Sequence, residues 1–126
     1  MISFSLFISC IGRKTDGRAI ITHNKSMNSI YCFYTNRELY AIDSIPNMGK
    51  ESIPKEDDFS LIGLPFWEEY IKTCDNQKLR YYIIKKDSVD KYGWNEIFKK
   101  NIYNKKYLFT IEDLDKTNWE IEYKGE

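Results

Sequence analysis

Leu79-Arg80-Tyr81-Tyr82-Ile83-Ile84 opens a run, continuing to Tyr123, that reads strand, helix, short strand, helix, strand. Its first six residues are mostly β-branched and aromatic, as a strand should be, whereas residues 29–35 upstream are apolar on both faces and read as a central strand covered on both sides. Asp87 or Ser88 then offers a side-chain oxygen to the unpaired amides of a helix over residues 89–100. Val89, Gly93 and Ile97 form one stripe of that helix, and Trp94, Ile97 and Phe98 an adjacent one, giving a face wide enough to dock on a sheet. Gly93 is expected to let this helix approach neighbouring backbone closely. Residues 107–109 form a short strand, and Thr110-Ile111-Glu112-Asp113 has the form of a capping box opening a helix over 111–116. Trp119-Glu120-Ile121-Glu122-Tyr123 alternates strictly, so one face is apolar and the other wet.

Upstream of this run, residues 19–23 and 29–35 read as two strands joined by the polar turn Asn24-Lys25-Ser26-Met27-Asn28, a pattern that predicts a hairpin. From Asn36 to Pro65 the periodicity weakens. All three prolines and the acidic run Glu56-Asp57-Asp58 lie there, with short strands expected near 39–42 and 60–62. A long connection of this kind is uncommon in a compact domain and tends to be either functional or mobile. Pro65 suits the first turn of a helix over 66–73, whose Phe66/Tyr70 and Trp67/Ile71 pairs are one turn apart.

The composition limits the possible functions. With 126 residues, 42% of them hydrophobic and 16% aromatic, the chain is long enough for one domain with a core of its own. Ten tyrosines tilt the class toward β. Lys+Arg and Asp+Glu balance at 19 each, so no overall field draws a phosphate backbone and nucleic-acid binding is disfavoured. No stretch reaches the ~18 apolar residues of a membrane span.

Residues 1–10 are apolar and uncharged and end in Cys10, after which 11–18 turn polar. Phe7-Ile8-Ser9-Cys10 resembles the bacterial lipobox, in which a small residue precedes the cysteine that receives the lipid. The resemblance implies a signal remnant over 1–10, a tether over 11–18 and one globular domain over 19–126. It further implies lipidation at Cys10 and a lipid-anchored place in the bacterial envelope, on the periplasmic or outer-membrane face. The alternative is a cytosolic protein whose first strand is residues 2–8. In an oxidising envelope Cys32 and Cys74 either pair or pack as small hydrophobes.

Asp87, Val89, Lys91, Tyr92, Trp94 and Ile97 follow the pattern D-x-V-x-K-Y-x-W-x-x-I, and Asn118, Trp119, Ile121 and Tyr123 follow N-W-x-I-x-Y. Tyr107, Phe109, Thr110, Asp113 and Leu114 lie between them, and Asn24, Ser26, Ile30, Tyr31 and Trp67-Glu68-Glu69 precede them. In this arrangement the chain resembles small lipoproteins of the Bacteroides group. It departs at Tyr40-Ala41-Ile42-Asp43-Ser44, which keeps the aromatic and the Asp of a Y-P-D-T turn without the proline. The resemblance implies an envelope lipoprotein and carries over no activity or site.

Groups able to do chemistry are few. His23 is the single histidine, so zinc of the usual His-rich kind is excluded, and a surface or turn position is expected for it. Glu56-Asp57-Asp58 lacks the turning glycine of a calcium loop and reads as a solvated acidic loop. Glu112 and Asp113 fit a helix first turn, where negative charge is favoured. Cys74 has no base partner by pattern. Trp67, Trp94 and Trp119 each lie on an amphipathic element and read as core. No phosphate loop, nucleophile elbow or cofactor fingerprint is present, so neither an enzyme nor a bound cofactor is expected.

These readings predict a mainly-β fold, an antiparallel sandwich of Ig-like or transthyretin-like type with short accessory helices, or alternatively a two-layer α+β fold. The expected function is a non-catalytic envelope module that binds a protein or glycan partner. Recognition falls to the 36–65 connection, with Tyr40, Asp57 and Asp58 as contact residues. An immunity-type inhibitor and a cytosolic domain are the alternatives.

Overall fold

The computed structural model describes residues 19–39, 52–61 and 67–125. The expected signal remnant with Cys10, the tether, Tyr40 and the short strand near 39–42 fall wholly or mostly outside these residues. The described strands are β1 (Ile20–Asn24), β2 (Ile30–Thr35), β3 (Asp58–Leu61), β4 (Leu79–Lys85), β5 (Lys105–Phe109) and β6 (Glu120–Tyr123). The helices are α1 (Trp67–Thr73), α2 (Lys86–Tyr92), α3 (Trp94–Lys100) and α4 (Ile111–Lys116). They build an α+β fold with two three-stranded sheets, ordered β3-β1-β6 and β2-β4-β5. The second sheet is antiparallel throughout, whereas β1 runs parallel to β6 and antiparallel to β3.

β4 sits in the middle of its sheet, and every residue from Leu79 to Ile84 is at most 5% exposed. Alternation sends Leu79, Tyr81 and Ile83 into one core, shared with Ile20, Ile121 and Tyr123 of the other sheet. Trp67, Ile71, Leu114 and Trp119 complete that core, and Thr22 Oγ1 meets Tyr81 Oη across it at 2.6 Å. On the opposite face Tyr82 and Ile84 join Phe33, Val89 and Ile97 in a second core under α2 and α3. Trp94 contributes an edge-on ring to Phe33, with centroids 5.8 Å apart.

The expected β1–β2 hairpin does not form; the two strands belong to different sheets. Asn24 and Ser26 turn the chain away. The buried Asn24 side chain donates to the carbonyls of Asn28 (2.7 Å), Ile53 (2.9 Å) and Pro54 (3.1 Å), and its Oδ1 accepts from Ser26 Oγ at 2.6 Å. A residue saturated in this way stabilises a corner and competes with the tight-turn geometry of a hairpin.

The single helix expected over 89–100 is two. Gly93, at φ +80°, ends α2 through Gly93 N to Val89 O (2.8 Å) and opens α3. The first helix starts at Lys86 after Lys85, so neither Asp87 nor Ser88 caps it. A Cβ on Gly93 would touch nothing within 4 Å. The glycine therefore supplies a backbone conformation, and close approach is not its role. In a continuous helix Gly93→Ala would stabilise by about 1 kcal/mol. Here the strained φ reverses the sign, and chemical denaturation should show a loss of about 1 kcal/mol or more.

The capping box at Thr110 is present in full. Thr110 Oγ1 accepts from Asp113 N at 3.1 Å, and Asp113 Oδ2 accepts from Thr110 N at 3.0 Å. Thr110→Ala should lower stability by ~1 kcal/mol in urea melts, and an unchanged midpoint would contradict the cap's contribution.

Candidate functional site

The two sheets differ in how they are covered. The central strand β4 of the β2-β4-β5 sheet is packed on both faces, but the outward residues of β3-β1-β6 are Asp58, Ser60, Glu120 and Glu122, all exposed, with Ile21 and His23 half-buried between them. Strand pairing creates this grouping. Antiparallel register sets His23 opposite Asp58, and parallel register sets it opposite Glu122, with Ile21 opposite Glu120. Side chains on one face of neighbouring strands lie within reach of one another.

At the centre His23 contacts a carboxylate through each ring nitrogen. Nδ1 is 2.8 Å from Asp58 Oδ1 and Nε2 is 2.8 Å from Glu120 Oε1. A neutral imidazole carries one N–H and one acceptor nitrogen, whereas the imidazolium donates from both and so satisfies both carboxylates. The hydrogen bond to Glu120, then that to Asp58, raises the His23 pKa above the ordinary imidazole range, against a partial opposing effect of desolvation. The protonated ring, favoured by both carboxylates, satisfies both contacts at once.

Asp57 is exposed beside this group. Its Oδ1 accepts from Asp58 N at 2.9 Å, and its carbonyl accepts from Asn24 N at 2.9 Å. Glu56 is exposed as well, at φ +63°. Of the four residues singled out in the sequence, the structure brings Asp57 and Asp58 together, while Cys10 and Tyr40 lie outside the described residues. Sequence reasoning missed Glu120 as a partner of His23. Its position on the wet side of an alternating strand was the available signal, but the pairing spans 97 residues.

A second charged group lies on the helix side of β4. Glu38 accepts from Arg80 Nε at 3.0 Å and from Lys106 Nζ, and these contacts, Lys106 first, hold its carboxyl below the usual range. Arg80 also donates to the carbonyls of Asp75 and Lys78, both at 2.7 Å, which accounts for a guanidinium in a buried strand. Cys32 and Cys74 are free and buried, and burial pushes both thiols up to about 11. Both are therefore protonated at neutral pH and unsuited to nucleophilic attack. A shallow hollow of about 290 Å³ lies between α1 and α4, bounded by Ile71, Lys72, Gln77, Thr110 and Glu112. No group of three or more His, Cys, Asp or Glu suited to a metal ion occurs among the described residues. No described helix is long and apolar enough to cross a membrane.

The chain matches no family model, no curated protein and no solved structure.

Because His23 is the only histidine, its titration is directly readable by NMR. Glu120→Gln should lower its pKa toward the free value of about 6.5, and by more than Asp58→Asn does. A raised folded pKa gives stability that is complete below about pH 6.5 and lost as pH rises through the folded value. Wild type should therefore lose stability over that window relative to Glu120→Gln. Equal His23 titration curves in wild type and both variants would contradict the bridge.

Proposed function

We propose that the chain is a non-catalytic binding module of the bacterial envelope, anchored by lipid at Cys10, that recognises a cationic protein surface with the open face and rim of β3-β1-β6. The observation that carries this reading is the grouping of exposed Asp57, Asp58, Glu120 and Glu122 about the single histidine His23. Acidic groups on an uncovered sheet face favour a basic partner through electrostatic complementarity. The two sheets behind them supply a rigid, sandwich-like scaffold.

Three further observations support it. β1 starts at Ile20, where a tether over 11–18 would enter, and ends at Asn24 beside Asp57, so the Asp57 end of the surface would lie away from the anchored end. Trp67 and Trp119 are buried, and their rings are not available to stack on a sugar, which favours a protein over a glycan. Both nitrogens of His23 are engaged with carboxylates, so it presents no free basic nitrogen for proton abstraction.

An immunity-type inhibitor is the second reading, favoured by the exposed run Glu56-Asp57-Asp58. It differs in its partner, a single enzyme whose activity falls on stoichiometric binding.

The test is capture from envelope extracts by the domain, compared with a Tyr40→Ala, Asp57→Ala, Asp58→Ala triple variant of unchanged circular dichroism. The expected result is about tenfold weaker capture, on the order of 1.4 kcal/mol; equal capture refutes the surface. In parallel, a fatty-acid probe should label the full-length protein and not Cys10→Ala. Absence of label from both removes the envelope assignment and leaves the cytosolic one.

A further inference from the structure

His23 belongs to the middle strand of the β3-β1-β6 sheet, and its two ring nitrogens reach one residue in each neighbouring strand, Asp58 in β3 and Glu120 in β6, both at 2.8 Å. The bridge therefore crosses the whole sheet. Near neutrality a carboxylate only accepts hydrogen bonds, and the two contacts together need two N–H donors on one ring. We propose that the Asp58–His23–Glu120 bridge is a pH-operated latch on β3, closed while the ring carries two protons and opened by the loss of one to solvent.

The two charged groups in contact with the ring are both acidic, and Lys25 and Lys124 follow directly after β1 and β6. Asp58, with Asp57 beside it, comes from β3, and Glu120 and Glu122 come from β6; β1 itself contributes no other charged group. When a proton leaves, one N–H···O contact is lost, because the remaining nitrogen meets its carboxylate lone pair to lone pair. The acids also lose the cation that screens them from one another. The raised pKa of His23 sets the opening above the range of an ordinary histidine.

β3 is the strand that yields. β6 buries Ile121 and Tyr123 in the core, and its ends are tied by Ile21 N to Trp119 O (3.0 Å) and Lys25 N to Tyr123 O (2.8 Å). β3 is tied at its start by Asn24 N to Asp57 O (2.9 Å) and Glu56 N to Asn24 O (2.7 Å), but it lacks the buried pair of β6: Phe59 is only partly buried, and Asp58 and Ser60 are exposed. Opening would loosen the strand that carries Asp58 and leave β1 paired to β6. The latch rests on the bridge geometry and is independent of any partner.

Hydrogen exchange of the full chain, read for residues 52–61 at about pH 6 and about pH 9 and corrected for intrinsic rates, tests it. In wild type, β3 protection should fall about tenfold relative to β4 between the two. In His23→Gln, whose amide does not titrate, the ratio should stay constant. A constant wild-type ratio, or an equal fall in the variant, overturns the latch. If His23→Gln does not fold, Glu120→Gln serves instead. It keeps the imidazole with one carboxylate fewer, so opening should move to lower pH, and an unmoved midpoint overturns the proposal.

Discussion

The structure depends on one constraint, the burial of β4 on both of its faces. A strand whose side chains are inaccessible above and below needs two separate covers, and the rest of the chain supplies them. The sheet β3-β1-β6 covers one face by way of Ile20, Ile121 and Tyr123, and α2 and α3 cover the other by way of Val89 and Ile97. Each fully buried aliphatic side chain contributes about 1.5–3 kcal/mol, so the strand concentrates much of the domain's apolar stabilisation in a few residues. Arg80 is the exception within it. Its guanidinium is 7% exposed and bonds Glu38 and two carbonyls, which offsets a desolvation that would otherwise be severe.

What was legible in the sequence is what depends on neighbours in the chain. Strict alternation in 119–123 and the apolar run at 79–84 marked strands because side-chain period and burial coincide there. The box at Thr110 was legible because both of its hydrogen bonds close within three residues. The break at Gly93 was missed because the apolar stripes on either side continue one helical period, and only the backbone angle interrupts it. The β1–β2 hairpin was read from turn chemistry, but Asn24 spends its amide on Ile53 and Pro54, well outside the turn. Which strands pair, and that β1 and β6 run parallel, is decided by burial of the whole set. Asp58 was therefore identifiable as an exposed acid, while its meeting with His23 and Glu120 was not.

Two basic side chains illustrate two uses of charge. Arg80 lies within the fold, and its guanidinium bonds Glu38 and the carbonyls of Asp75 and Lys78. His23 lies on an open face among acids, and its charge is set by the solution. The first is a structural bond, the second a conditional one. The domain thus places a buried ion pair on the sheet that holds β4 and the histidine bridge on the sheet that faces solvent.

The pairing of β1 with β6 also sets an order of assembly. The bridge from His23 to Asp58 closes a span of 35 residues, and that to Glu120 a span of 97. In loop-closure entropy the longer span costs about 0.9 kcal/mol more, and contacts of such separation form late. During synthesis β2 and β4 can pair before β6 is made, whereas β1 waits with one edge unpaired. The first described strand is therefore among the last to be completed, and a nascent chain exposes that edge until β6 arrives.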